Sequence, residues 1–531
     1  MKLADIMADM KGEMGQEWEK KGFQMPKFDI GALKARTHKA PVWVHFGAGN
    51  LFRAFPAAVL QRVLDSGTYD RGVIVAEGFD FEIIDKAYRP YDNLSLLVVL
   101  QPRGSIEKKV VASVTESLKA APWFEQDWAR LVEIFRNPGL QMISFTITEK
   151  GYGVSAQDLE RGLSPGMVMG RVTLLLYERY LAGARPLTLQ SMDNCSHNGD
   201  RVREAVTAYG EAWVRQGLVP SAFLSYVRDP ARVSCPWSMI DKITPRPDAR
   251  VQQMLSGEGF EDNYTILTEK NTYTAPFVNA EETEYLVIED SYVNGRPPLE
   301  LGGVLFSDRE TVEKAERMKV CACLNPLHTA MAVFGCLLGY ELISAQMQDQ
   351  DIRGLLEGLG RREAMPVVAD PGVIKPGAFL DEVLNRRLPN AFLPDAPQRI
   401  ATDTSQKLSI RFGETVKAYQ ARGLGTEGLV FLPLVLAAYG RYLKGIDDQG
   451  RPFEPSPDPL LGELSAIVAP LEVRQGEQDF SCLKILYGRK DIFGVDLYAA
   501  GLGERIEEMT ARLYKGPGAV RRTLHEYVCG H

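Results

Sequence analysis

The stretch PVWVHFGAGNLFRAFPAAVLQRVLDSG, residues 41–67, constrains this chain more than any other. Val42 to Phe46 is an apolar run with the character of a buried strand. Gly47-Ala-Gly49 follows, and then apolar residues at helical spacing, Val59, Leu60, Val63 and Leu64, up to Gly67. Strand, glycine turn and helix in that order suit a dinucleotide site, because glycines let the backbone approach a pyrophosphate at a helix start. Phe52 stands where the GxGxxG pattern has its third glycine, so the spacing alone is a weak signal. A second strand, Gly72 to Ala76, leads into Glu77. A carboxylate there accepts hydrogen bonds from the adenosine ribose and repels a 2′-phosphate, which favours NAD over NADP. The plainer reading of Glu77 is a solvated loop acid, and Asp80 competes for the role.

Further strand-like runs are Leu94 to Leu100, Val110 to Val114, Met142 to Thr148, Tyr264 to Thr268 and Glu282 to Tyr292. Their alternation with helical stretches predicts an α/β half with a mostly parallel sheet. The Gly- and Pro-rich run NGRPPLELGGVLFSD, 294–308, closes that half. From Arg309 helical periodicity takes over, through Met347 and then in 350–362, 378–387, 401–421, 427–445, 459–475 and 503–514. At 531 residues two domains are expected. They are a Rossmann-type domain over 1–308 and a mostly α-helical domain over 309–531.

A net charge of -8 without a basic cluster argues against a nucleic-acid surface. No uninterrupted apolar run approaches membrane length, and the N-terminal residues mix charges with Leu, Ile and Met as an amphipathic helix does. Seven scattered cysteines do not make a disulfide framework, so the cytoplasm is the expected compartment. Cys321 and Cys323 would project about 200° apart on a helix, there is no CxxC, and Cys529 and His531 stand at the end of the chain. No metal site is expected.

Three segments carry polar groups that packing does not require. DNCSHNGDRVREAV, 193–206, places a polar cluster before a helix whose expected N-cap is Asn198 or Asp200. PWSMIDKITPRP, 236–247, sets Asp241 and Lys242 among apolar residues. KVCACLNPLHTA, 319–330, puts a lysine, an asparagine and a histidine into an apolar helix. Burying such groups costs several kcal/mol each, roughly, unless they are paired or neutral. The bland account of the last segment is a core helix with one snorkelling lysine and one satisfied histidine.

HFGAGNLFRAF, TEKGY (148–152), DNCSHNGD, PWSMIDKITP, IEDSYVNGRPPLE, the Lys/Asn/His helix and RIATDTSQK (399–407) occur together in this order. In that combination the chain resembles the long-chain polyol-specific (mannitol) dehydrogenase family, from about residue 40 to 445. The resemblance implies a Rossmann-type N-terminal domain, a helical C-terminal domain, an active site between them, and metal-free hydride transfer with NAD. It implies Lys319 as general base, Asn194 and Asn325 as donors to the reacting oxygen, and His328 on a neighbouring hydroxyl. Glu316 becomes the proton-channel partner of the lysine, and Asp241, Arg399 and Lys407 line the substrate pocket. Gly47, Gly49, Asn50, Phe52, Arg53 and Glu77 become the cofactor-binding set.

These residue types suit the chemistry. A secondary alcohol releases hydride readily only when its proton is taken, and burial lowers a lysine from about 10.4 toward the range of a useful base. Amide donors stabilise an alkoxide-like oxygen without adding charge. The implied substrate is a small sugar acid or polyol. D-fructuronate/D-mannonate comes first, because Arg399 and Lys407 offer cations for a carboxylate, with tagaturonate and then fructose/mannitol as alternatives. A nucleotide-binding sensor without catalysis is the alternative of another class.

One departure bears on the lysine. Lys319 precedes Asn325 by one residue more than in the family pattern, and on a straight helix Lys319 and His328 would lie about 180° apart. Pro326 permits a break before it, with the extra residue taken up there or in a bulge. An unbroken helix would count against the lysine.

Overall fold

A computed structural model describes residues 1–102 and 104–530. The chain divides into two compact units, Met1–Glu313 and Lys314–His531.

The first unit is built on a six-stranded sheet whose strands are β1 (Trp43–Phe46), β2 (Val73–Glu77), β3 (Val114–Lys119), β4 (Met142–Phe145), β5 (Leu187–Ser191) and β6 (Val233–Ser234). Its spatial order is β3-β2-β1-β4-β5-β6, and every neighbouring pair is parallel. That is the doubly wound dinucleotide-binding order, which reverses between β1 and β4 and opens a crevice beyond their carboxyl ends. Successive residues of a strand face opposite sides. Trp43, Val73 and Val75 therefore join one core with Val59, Leu60, Val63 and Leu64 of helix α1 (Pro56–Asp65). Val44, Ile74 and Ala76 join the other. That second core is completed by α2 (Glu125–Arg136), α3 (Val168–Leu181) and α4 (Asn198–Arg215).

The strand expectations need two corrections. Ser95–Leu100 and Ile106–Val111 are strands, but they pair antiparallel with each other in a separate four-stranded sheet. The third strand of the parallel sheet is instead Val114–Lys119, whose Thr115, Glu116, Ser117 and Lys119 mask it in sequence. Ser238–Asp241 pairs antiparallel with Tyr285–Glu289, in a further small sheet.

The second unit has no strand among the described residues. Its core helix Phe431–Tyr442 is buried on every side, which marks an interior helix. It lacks a side-chain cap of its own. Glu363 accepts instead from the backbone N–H groups of Val430, Phe431 and Leu432, supplying the acceptors that a helix start needs. The segment Arg309–Leu338 is long and apolar enough to cross a bilayer, but 78% of its apolar window is buried in protein, as in a core helix. The apolar reach of this segment exceeds what the sequence reading allowed.

Candidate active site

The glycine turn separates two requirements. Gly47 has φ +108°, and a Cβ on it would sit 2.2 Å from the Thr146 carbonyl oxygen at the end of β4. Only glycine fits. Gly49 is extended, and a Cβ there would meet nothing within 4 Å. The fold itself does not need a glycine at 49, so the bare backbone leaves room for something that approaches closely.

Phe52, in place of the third glycine, lies flat on the His45 ring at 4.1 Å. His45 is fully buried between Ser144 Oγ (2.6 Å) and Thr146 Oγ1 (2.8 Å), and burial pulls its pKa well below the usual imidazole range. Arg53 is buried too, donating to the Ala275 carbonyl, Thr274 Oγ1 and Asn50 Oδ1 at 2.7–2.9 Å. Phe52 and Arg53 thus brace the turn from behind. The bracing by Asn50 is less direct, since its amide also donates to the Tyr273 carbonyl.

Gly47, Gly49 and Glu77 line a cleft of about 780 Å³, with Thr146, Ile147, Thr148 and Lys150 on its other wall. That volume is within the range of cofactor sites, and the cleft lies where the strand order reverses. Arg171, Trp123, Phe79 and Lys270 also line it, none of them singled out in the sequence. Arg171 donates to the carbonyls of Gly78, Ala120 and Gly166 and stands beneath the Trp123 ring at 5.4 Å. Its burial lowers it to about 10. No local pattern marks these residues, because they come from segments distant in sequence from the glycine turn.

Glu77 differs from its expected form. It is 6% exposed, and its carboxylate accepts from Ala48 N (2.7 Å), Phe79 N (2.7 Å) and Asp80 N (3.1 Å). Burial raises its pKa, and the three backbone donors oppose that rise. A carboxylate has about four acceptor sites, so roughly one is left for a ribose hydroxyl. Its first task is to hold the glycine turn against the end of β2. Asp80 is likewise engaged, accepting from Thr268 Oγ1 at 2.6 Å.

Asn194 is exposed in the loop after β5. The capping expectation fails at both positions. Helix α4 begins at Asn198 with no side-chain cap, and His197 before it has φ +50°. Asn198 turns inward, donating to the Asp193 and Ser238 carbonyls and to Ser238 Oγ at 3.0 Å while accepting from Ser238 N. Asp200 accepts from the Trp237 indole. Such short polar side chains bond whichever backbone lies nearest, and here that is another strand. Asp241 is buried at the end of Ser238–Asp241, while Lys242 pairs with Glu284 and the Glu281 carbonyl.

In the second unit the helix of Lys319 does break. Arg309–Arg317 passes into a π-helical turn, Met318–Cys323, closed by Leu324 N on the Lys319 carbonyl at 3.1 Å. Leu324 leaves helical geometry (φ −129°, ψ −62°), and a new helix runs from Asn325 to Leu338 with Pro326 in its first turn. A turn wider than α can take up one extra residue, and such turns recur at functional positions. Lys319 is buried at 2% exposure, whereas Glu316, Asn325 and His328 are half-buried. Thr329 beside His328 accepts from Arg411, a cation that burial lowers to about 10 and that sequence reading did not single out.

Arg399 is a surface residue, its side chain 72% exposed and paired with Asp395 one turn away. Lys407 is half-buried, donates to the Thr402 carbonyl at 2.5 Å, and has its pKa lowered, first by burial and then by Arg411.

Burial pushes the Cys321 and Cys323 thiols up to about 12. Asp351, His525 and Cys529 bring ligand-type atoms within 4.8 Å of one another. Asp351 also pairs with Arg521. His531 lies outside the described residues.

Comparison with known proteins gives a consistent result. Residues 41–301 match the mannitol dehydrogenase Rossmann domain, and 311–514 match the mannitol dehydrogenase C-terminal domain. A D-mannonate oxidoreductase of Thermotoga maritima is 51% identical over 525 residues, covering 96% of this chain and 97% of that one. A crystal structure of D-sorbitol dehydrogenase in substrate-free form shares the fold with TM-score 0.78 at 24% identity, covering 95% and 97% of the two chains. Pseudomonas fluorescens mannitol 2-dehydrogenase, solved with NAD and D-mannitol, gives TM-score 0.71 at 24% identity over the whole of both chains.

Proposed function

This chain belongs to the mannitol dehydrogenase family, and on that premise we propose that it interconverts D-fructuronate and D-mannonate with NAD(H). The observation that carries the substrate is the end-to-end match, at half identity, to a mannonate-oxidising relative. The bare backbone at Gly49 and the Glu77 carboxylate at the cleft wall support the cofactor.

NAD, when bound, takes up or returns the hydride. Lys319 removes the hydroxyl proton in the oxidation direction and returns it in the reduction. Asn194 and Asn325 donate their amide hydrogens to that oxygen, His328 binds the neighbouring hydroxyl, and Glu316 passes the proton between Lys319 and water. Asp241, Arg399 and Lys407 contact the rest of the substrate. The cytoplasm is the setting proposed for this reaction.

Ranking D-fructuronate, tagaturonate and fructose by kcat/KM with NADH tests the substrate. Fructuronate should lead, and a lead for fructose would make this a polyol enzyme. Because Arg399 is exposed and already paired, its contact with a substrate carboxylate should be worth only about 1 kcal/mol. Arg399→Ala should then raise KM for the uronate by about fivefold and leave fructose unaffected; an equal loss on both would assign Arg399 to hydroxyls instead.

NADH should be strongly preferred over NADPH, and prolonged chelation should leave turnover unchanged. Comparable use of both cofactors would remove Glu77 from cofactor selection. Activity lost to a chelator and restored by zinc would overturn a lysine-only base.

A further inference from the structure

We propose that Asp193 is a positioning residue whose carboxylate sets the cleft wall at Thr148 and ties it to the loop that presents Asn194. The inference rests on the oxidoreductase reading of the site and adds a residue to it.

Strands β4 and β5 are adjacent and parallel, and Met192 N continues their pairing onto the Phe145 carbonyl at 2.8 Å. The chain after β4 therefore runs beside the chain after β5. Asp193, 6% exposed, reaches from the second to the first. It accepts from Ile147 N at 2.8 Å, Thr148 N at 3.0 Å and the Tyr152 hydroxyl at 2.6 Å. Its own carbonyl accepts from Asn198 Nδ2 and Cys195 N, which shapes the loop carrying Asn194. In a doubly wound sheet the second mononucleotide half covers these two strands, so both loops flank the reacting end of a dinucleotide.

Thr148 makes this more than a brace. Its φ is +64°, a left-handed conformation that a β-branched residue adopts only under constraint. Ile147 and Thr148 both line the cleft. Two consecutive N–H groups aimed at one carboxylate supply that constraint through charge-assisted hydrogen bonds. Glycine at 148 would take the same conformation without strain and without the carboxylate. With threonine, the cleft wall keeps this shape only while Asp193 holds it.

The test is a double-mutant cycle on the full-length enzyme, reading kcat per NADH-binding site so that misfolded protein is not counted. Asp193→Asn presents an amide donor where a second acceptor stood. It should lower kcat about 10- to 100-fold, the scale of hydrogen bonds lost to a charged group. In a Thr148→Gly background the same Asp193→Asn change should cost far less, because the turn no longer depends on the carboxylate. Amide hydrogen exchange at Ile147 and Thr148 should accelerate in Asp193→Asn alone. A merely structural role would lower thermal stability with kcat per site unchanged, and would show the same loss in both backgrounds; either result overturns the proposal. If the unaltered enzyme turns over no ketose or ketouronate, the oxidoreductase reading fails, while the exchange measurement still decides whether Asp193 holds the turn.

Discussion

Lys319→Ala should lower turnover by roughly 10²- to 10⁴-fold, the contribution of a positioned general base, while NADH affinity should stay close to that of the unaltered enzyme. The split follows from where the lysine sits. It is in the helical unit, buried in the π-helical turn, whereas the glycine turn and Glu77 belong to the first unit. Lys319 is 2% exposed and stands in the wide turn of its helix, which makes it the residue to remove first. Stopped-flow hydride transfer alongside NADH fluorescence titration separates the two quantities. Near-normal turnover would remove Lys319 from the chemistry.

Gly49→Val should weaken NADH binding by about 1–3 kcal/mol, the usual cost of forcing volume into a filled site, with the melting temperature unchanged. A Cβ at 49 meets no protein atom within 4 Å, so the first objection to a side chain there comes from a bound ligand. Gly47→Ala should do the reverse. Its Cβ would collide with the Thr146 carbonyl and its φ would be strained, so stability falls first. Calorimetric melting and isothermal titration on the two variants check this. A destabilised Gly49→Val with intact NADH affinity would mean that the cleft is not where the pyrophosphate lies.

The glycine turn, β1 and α1 are legible because their signals are local: an apolar run, two glycines and a helical stripe within 27 residues. β3 was not, because VTESLK interleaves polar residues and so lacks the apolar continuity expected of a buried parallel strand. The capping assignment failed at Asn198 because a partner far along the chain, Ser238, outbid the local helix end. Glu77 was found, but its three backbone partners were invisible, since Ala48 joins it only once β1 and β2 lie side by side. Asp193 lies in the DNCSHNGD segment, where nothing local distinguishes it from its neighbour Asn194. What it touches, the turn after β4, is set by strand order and not by spacing. The break at Leu324 could be anticipated from Pro326, whereas the wide turn before it depends on packing that sequence does not show.

The most direct measurement is the oxidation of D-mannonate by the purified protein with NAD, following NADH absorbance and identifying the product. The account predicts NADH and D-fructuronate formed in equal amounts, with Lys319→Ala producing neither at a comparable rate. NADH formation from mannitol but not from mannonate would contradict it.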